Sequence, residues 1–420
     1  MARIEFPEET RRRVETIGAA DFVLGVAGAI PPEELSAHAP GWIHSLAPNP
    51  LKSVVVYAGL QEMIAPHPSA NGIEFVAFAT PAYDPAFGPW AEISDAQRTA
   101  LALAALFDAR ACAVLHRDLA VLQDPASRLL ATPVLEGKCD LVNPIYPEGK
   151  YEGLINKCLL APLSRALFGR RVRSPLPLDF CASARMLPRL ADPGPPRNQA
   201  GPQLLWPANV VAMEAGQICQ ASVSATHTLQ TDGLDLSEVL GQLAGALFQE
   251  IEACAAVWQR ARPSQPTEIL SAPAATESAP EVGPAKPLNT QPLDTQPLID
   301  SFLLGSRNLE EVWRLVLPPV TLFELKQLTR LSPDRFRMPD SLWARIVYDF
   351  ALAYRLRRIG RVHLLGALTP LYLGWVASYA QEVAGATAAE ADQRVELLAQ
   401  IFESNKPYFV SRWRWPDRIN

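Results

Sequence analysis

The residues His116-Arg117-Asp118-Leu119 have the types and spacing of a chemical site. They directly follow ACAVL (111–115), an apolar run typical of a buried strand. The tetrapeptide matches the start of a protein-kinase catalytic loop, in which the aspartate serves as the base. It also matches an Asp-x-Asp metal site whose first acid has changed to histidine. These two interpretations predict different chemistries.

The rest of the chain excludes the kinase interpretation. No glycine-rich strand-turn-strand and no strand lysine precede His116, although a kinase needs both. Gln123 occupies the position where a kinase requires the catalytic-loop asparagine. The tripeptide most similar to Asp-Phe-Gly is Asp-Phe-Cys at 179–181, which lies far downstream. Metal binding by Asp118 is therefore the interpretation that remains.

Four apolar runs predict parallel strands that are covered on both faces: DFVLGVAGAI (21–30), SVVVYAGL (53–60), IEFVAFA (73–79) and ACAVL (111–115). Between the last two lies ISDAQRTALALAALFDAR (93–110), a predicted helix with Ser94 as its cap and Gln97 completing a capping box. This alternation indicates an open α/β sheet, which binds ligands beyond the carboxyl ends of its strands.

The composition divides the remainder of the chain into a helix-bearing stretch, a linker and a helical domain. A helix-bearing stretch runs from about 150 to 260, and residues 263–298, rich in Pro, Ala, Ser and Thr, predict a flexible linker. Amphipathic segments after it predict an all-α domain over 299–420. The expected organisation is therefore an α/β domain over 1–262, that linker, and a helical C-terminal domain.

Charge and hydropathy restrict the partners and the compartment. The net charge of −6 argues against nucleic-acid binding. The six cysteines show no paired metal spacing and predict buried free thiols in a reducing compartment. The apolar segment 362–380 predicts a buried helix pair rather than a membrane span, since Thr369 and Pro370 interrupt it. With no signal-peptide core near the start, the protein is expected in the cytoplasm.

From residue 111 onwards the sequence resembles the mannosylglycerate/glucosylglycerate synthase group of glycosyltransferases. The similarity covers roughly 20–260 and 297–415, and it depends on the order and spacing of several short motifs. These are PVLEG (133–137), Pro144-Ile145-Tyr146, Lys150-Tyr151-x-Gly153, PLSRALFGRRVR (162–173), LWARIVYDFALAYRLRR (342–358) and HLLGALTPLYLGW (363–375).

The resemblance implies a GT-A (Rossmann-like) fold, with a nucleotide half over about 1–143 and an acceptor half over about 144–262. It implies transfer of a sugar from a nucleotide-sugar to a small glycerate-like hydroxy acid, with retention and with Mg²⁺ or Mn²⁺. Asp118 and His227 take the positions of the family's metal ligands, and His116 is a further candidate. Asp118 and Arg98 fall on the donor side, and Asp179 is the catalytic candidate. The acceptor side is implied to comprise Lys150, Tyr151, Gly153, Arg165 and Arg173.

The chain departs from the family where the donor should bind. The polar turns after the first two strands are replaced by the largely apolar segments 27–32 and 57–60, and a Gly-Lys-Gly by Glu92-Ile93-Ser94. The usual Gly-Gly-Asp is Pro177-Leu178-Asp179, and the acid expected before Trp206 is Leu204. Two hypotheses follow: a glycosyltransferase with an altered donor site, or a non-catalytic relative that binds and regulates an active synthase. A homo-oligomer is compatible with either.

Overall fold

The structure, a computed structural model, describes residues 4–47, 51–58, 72–79, 88–116, 118–192, 203–225, 235–260, 263–271 and 292–416. Its strands are β1 (Phe22–Ala29), β2 (Ser53–Ala58), β3 (Glu74–Phe78), β4 (Ala111–His116), β5 (Leu141–Ile145), β6 (Phe180–Ser183), β7 (Ile218–Ser222) and β8 (Glu268–Leu270).

Sixteen α-helices are present in the described ranges: α1 (Glu8–Ile17), α2 (Pro32–Leu46), α3 (Gly88–Leu106), α4 (Arg128–Leu135), α5 (Ala161–Phe168), α6 (Leu187–Ala191), α7 (Pro207–Met213), α8 (Leu236–Ala253), α9 (Ala255–Trp258), α10 (Gln296–Asn308), α11 (Glu310–Val316), α12 (Pro319–Leu328), α13 (Asp340–Leu356), α14 (Arg361–Gly366), α15 (Thr369–Glu382) and α16 (Ala388–Arg414). Short 3₁₀ segments form at Ala120–Gln123 and Pro333–Arg335, and a π-helical turn forms at Asn156–Leu160.

The chain divides into two compact units. The first comprises Met1–Pro147, Ser174–Thr231 and Pro266–Pro287, and the second comprises Glu148–Arg173, Asp232–Gln265 and Leu288–Asn420. β8 and the start of α10 lie within the range predicted as a linker. Since residues 272–291 lie outside the described part, the linker and the predicted domain boundaries stay predictions.

The first unit is built on one eight-stranded sheet in the order β3-β2-β1-β4-β6-β5-β7-β8. β6 is antiparallel to both β4 and β5, and the other pairs are parallel. Every residue of β2 and β4 is buried. The four strands predicted from apolar runs are present, because such runs suit strands covered on both faces. The predicted α/β class with a helical C-terminal region is confirmed.

Ser94 does not cap a helix, contrary to the prediction. α3 begins earlier, at Gly88, so Ser94 lies inside it. Its buried Oγ accepts a hydrogen bond from the Leu205 backbone N–H at 3.1 Å. Gln97 donates through Nε2 to the carbonyl oxygens of Pro177 and Leu178, at 3.3 and 3.1 Å. These side chains hold other segments against α3, a role that local sequence patterns do not reveal.

Two of the six cysteines are not free thiols, which corrects the prediction for them. Cys139 and Cys219 form a disulfide across 80 residues of sequence, with their Cα atoms 6.2 Å apart. β5 and β7 are neighbours, with Val142 paired to Cys219, so the sheet brings the two residues within bonding range. Cys112, Cys158, Cys181 and Cys254 form no disulfide, and all but Cys254 are buried.

In the second unit, the segment 362–380 forms the predicted helix pair, α14 and α15. α15 is largely buried as predicted, whereas α14 is not: Leu364 is its buried residue, and Val362 is 84% exposed. Nowhere in the described ranges does a helix combine the length and apolar character needed to span a membrane.

β1 packs so closely on α3 that Gly25 leaves no room for a larger side chain. A Cβ at Gly25 would lie 2.6 Å from the Ala100 Cβ. Gly25→Ala is therefore expected to lower the free energy of unfolding by about 2 kcal/mol through overpacking. Urea unfolding followed by circular dichroism measures the loss. Gly41→Ala in α2, where a Cβ meets nothing within 4 Å, is the control and should not destabilise. Equal stability of the two variants would contradict the packing argument.

Candidate functional site

The strand order of the sheet reverses at the carboxyl ends of β1 and β4. β1 pairs with β2 on one side and with β4 on the other, both in parallel. The chain passes from β1 to β2 and β3, and then returns to the other side of β1 as β4. Such a reversal of strand order leaves a crevice beyond the strand ends, which is where open α/β sheets bind ligands.

The polar residues at this position come from the end of β4. His116 is 8% exposed, whereas the side chain of Asp118 is 37% exposed. The His116 Nδ1 lies 3.5 Å from the Asp118 Oδ1. Leu119 adopts a left-handed conformation (φ 51°), and its N–H donates to the His116 carbonyl at 3.0 Å. The turn therefore presents the Asp118 carboxylate to solvent beside an imidazole.

Asp179 lies beneath this turn with no exposed surface. Its Oδ1 accepts the His116 backbone N–H at 2.7 Å, and its Oδ2 accepts the Tyr146 hydroxyl. Burial raises the pKa of Tyr146 well above its usual 10, and the Asp179 charge adds to the shift. Tyr146 therefore remains a protonated donor. The contacts suit a carboxylate that positions the end of β4, while its predicted catalytic role stays a prediction.

Asp124 is a residue of this region that the sequence did not indicate. It is 4% exposed and accepts hydrogen bonds from the backbone N–H groups of Ala126, Ser224 and Ala225 and from the Ser224 hydroxyl. Burial alone would raise the pKa of Asp124, but these hydrogen bonds together lower it. Asp124 thus stays ionised and fixes the chain just before residues 226–234. His227 belongs to that stretch, which lies outside the described residues.

Among the described residues, the protein ligands that a cation could take at this turn are few. Nowhere among them do three His, Cys, Asp or Glu side chains converge as a metal cluster. Asp118 and His116 offer one oxygen and one nitrogen ligand. Mg²⁺ in nucleotide sites is often held by one or two carboxylates together with substrate phosphates. A small exposed carboxylate site is consistent with that mode of binding.

Arg98, the other donor-side candidate, is buried and holds a neighbouring segment. Its Nη1 donates to the Gln203 carbonyl at 2.7 Å, and its Nη2 to the Leu204 carbonyl at 2.9 Å. The Asp95 carboxylate lies 3.4 Å away. The guanidinium is thus engaged by carbonyl groups of the first unit, and donor binding by Arg98 stays a prediction.

The acceptor-side candidates lie in the second unit, whereas Asp118 and Asp179 lie in the first. The Lys150 ammonium donates to the carbonyl oxygens of Val383, Ala384 and Ala386 at 2.9 to 3.1 Å. It also lies 5.2 Å from the centre of the Tyr151 ring. Lys150 therefore binds the carbonyl groups that follow the C-terminal end of α15.

The remaining acceptor candidates also make contacts within the second unit. Arg165 pairs with Glu396 and Glu403, and Arg173 pairs with Asp392. Gly153 has a φ of 62°, and a Cβ there would lie 2.8 Å from a Glu148 carboxylate oxygen. Ordinary intramolecular pairing thus accounts for the observed contacts, and acceptor binding by these residues stays a prediction.

Comparison with known proteins yields structural neighbours only. No protein-family model matches the chain, and no curated protein sequence matches it significantly. Glucosyl-3-phosphoglycerate synthase from Mycobacterium tuberculosis in complex with Mn²⁺, UDP and phosphoglyceric acid is 17% identical, with a TM-score of 0.36, over 60% of this chain and 85% of that one. The same enzyme solved with UDP is 18% identical, with a TM-score of 0.35, over 60% and 87%. Similarity at this level does not assign a function to the chain.

Proposed function

We propose that this protein is a glycosyltransferase that moves a sugar from a nucleotide-sugar to a small glycerate-like hydroxy acid, with retention and with the assistance of Mg²⁺ or Mn²⁺. The observation that supports it is the exposed Asp118 carboxylate, beside His116, at the strand-order reversal between β1 and β4. The resemblance of several short motifs, in their order and spacing, to the glucosylglycerate synthase group also supports the proposal.

In this proposal each residue of the site has a physical task. Asp118 and His116 would hold the cation, which would supply charge neutralisation at the leaving diphosphate. Asp179 fixes the His116 backbone and, through Tyr146, keeps the end of β4 in one position. Asp124 holds Ser224 and Ala225, so that the following segment starts from a fixed point. Fixed positions matter because transfer requires the reacting groups to be aligned.

A second candidate function is a non-catalytic partner of an active synthase. It is favoured by the apolar end of β1, where Ala27 and Ile30 are 1% and 7% exposed and offer no polar side chain to a base. The pairing of Arg165 and Arg173 with carboxylates of their own unit points the same way.

Replacement of Asp118 tests the cation site. Titration calorimetry with UDP, GDP and ADP, each with and without Mn²⁺, is expected to show metal-dependent binding of one nucleotide. Asp118→Asn should weaken that binding by about tenfold or more, since it removes the charge that holds the cation. Asp334→Asn, an exposed aspartate of the second unit, is the matched control and should bind as the unmodified chain does. Failure of a folded protein to bind any of the three nucleotides would refute the proposal.

Turnover separates the two candidates once a nucleotide binds. The matching nucleotide-sugar is incubated with glycerate-like acids, and release of nucleoside diphosphate is followed together with the glycosylated product. Product formation supports the transferase. The non-catalytic partner is supported by nucleotide binding without any product, and also by the absence of nucleotide binding.

A further inference from the structure

The second unit contains a cavity of about 820 Å³ that the proposed transfer reaction does not use. Its wall is formed by residues of α16 and by Trp415 directly after it, by Ala166 of α5, and by Arg171, Pro263 and Ser264. All of these residues belong to the second unit. The volume falls within the range of about 300 to 1,000 Å³ found for small-molecule sites.

The charges that line the cavity are mainly positive. Arg171, Lys406 and Arg414 contribute cations, and Glu403 contributes one carboxylate. That carboxylate already accepts from the Arg165 Nη2 at 2.9 Å and from the Ser264 N–H at 2.9 Å. Arg165 bridges Glu403 and Glu396, and the charges of these two carboxylates also act on Lys406 and Arg171 respectively. The four cations Arg165, Arg171, Lys406 and Arg414 outnumber these two carboxylates, so the region keeps an excess of positive charge.

The two lining guanidinium groups are oriented by neighbouring side chains. The Arg171 Nε donates to the Ser264 Oγ at 3.1 Å, and the Arg414 Nε donates to the Gln259 Oε1 at 2.9 Å. An arginine held at its Nε has a fixed plane, which suits the planar or tetrahedral oxygens of a carboxylate or phosphate.

The uncharged part of the wall is mixed. Ser264, Gln400, Ser404 and Ser411 are polar, whereas Val410, Pro407 and Ala166 are apolar. Trp415 also lines the cavity and is 54% exposed. An exposed tryptophan at the edge of a charged cavity offers a flat surface on which an apolar or aromatic body can pack. The site therefore combines a cationic part with an apolar part.

We propose that this cavity binds a small organic anion, with its carboxylate or phosphate group on Arg171, Arg414 and Lys406 and its apolar body against Val410 and Trp415. Lys406 gives supporting evidence. Burial lowers its pKa to about 8, with Glu403 opposing the shift. A bound anion would stabilise the charged form of this partly desolvated lysine, so ligand binding and lysine protonation favour each other.

The full-length protein can be titrated calorimetrically with phenyl phosphate, benzoate and inorganic phosphate as probes. We expect phenyl phosphate or benzoate to bind, and Arg171→Met and Arg414→Met each to weaken that binding by about tenfold. Arg307→Met, which removes an exposed arginine of the same unit, should leave it unchanged. If inorganic phosphate also binds, and both arginine variants weaken its binding to the same extent, the cavity recognises the anionic group of the probe.

A second variant covers the case in which an arginine variant fails to fold. Ser404 is exposed on the wall of the cavity, and Ser404→Glu adds a negative charge there that should weaken anion binding by about tenfold. Asp118→Asn should leave probe binding intact, which separates this site from the nucleotide site. Absence of binding by phenyl phosphate and benzoate would overturn the proposal, as would binding that none of the cavity variants alters.

Discussion

Replacing Asp179 with alanine is expected to lower the free energy of unfolding by about 3 kcal/mol. The carboxylate has no exposed surface and accepts both the His116 backbone N–H and the Tyr146 hydroxyl. The alanine variant removes the acceptor of both donors, and water has no direct access to replace it. Each buried donor that loses its acceptor costs about 1 to 3 kcal/mol. The small cavity left by the carboxylate adds to the loss.

Chemical denaturation of matched variants measures this effect. Asp179→Asn keeps an oxygen acceptor of nearly the same size, so it should cost about 1 kcal/mol, and Tyr146→Phe, which removes only the hydroxyl, should cost a similar amount. An Asp179→Ala protein as stable as the unmodified chain would show that this carboxylate does not support the end of β4. In that case its predicted catalytic role would gain weight.

Nucleotide binding by the asparagine variant separates positioning from direct contact. If Asp179 acts only through His116 and Tyr146, Asp179→Asn should bind metal and nucleotide nearly as well as the unmodified chain. The Asp118→Asn variant should lose that binding. An equal loss in both variants would place Asp179 in contact with the ligand.

The sequence predicted the α/β sheet well because its signal is local. Apolar runs such as those of β2 and β4 remain buried on both faces, and a run of this kind can be recognised without knowledge of its neighbours. The position of Asp118 after β4 followed from the same pattern. The carboxyl end of a strand is identifiable from sequence as soon as the strand is.

Contacts between distant segments could not be predicted in this way. Asp124 meets Ser224 across 100 residues, and Cys139 meets Cys219 across 80. Ser94 and Gln97 matched a local capping pattern, but they bond segments about 80 to 111 residues away. In each case the partner is distant in the sequence, and only the folded chain brings it close. Site assembly from the sequence therefore failed where it depended on such pairs.

The ion pairs of the predicted acceptor arginines lead to the second large effect. Arg165 is 5% exposed at its side chain, and its partners Glu403 and Glu396 are 20% and 45% exposed. Arg165→Met should lower the free energy of unfolding by about 3 kcal/mol, mainly because it leaves the Glu403 carboxylate half-buried without its cation. Arg173→Met is the control. Arg173 and Asp392 are both nearly half exposed, so that loss should stay below about 1 kcal/mol.

The pH dependence of this difference identifies its origin. Hydrogen bonds and the charge of Arg165 outweigh burial and hold the pKa values of Glu403 and Glu396 below the ordinary value of 4.5. A carboxylate whose pKa is lowered by folding stabilises the protein above its unfolded value and loses that contribution as the pH falls through the folded value. The stability gap between the unmodified chain and Arg165→Met should therefore be full at neutral pH and shrink below about 4.5. Denaturation across this range measures it. A gap that does not change with pH would mean that Arg165 stabilises the unit by packing rather than by its ion pairs.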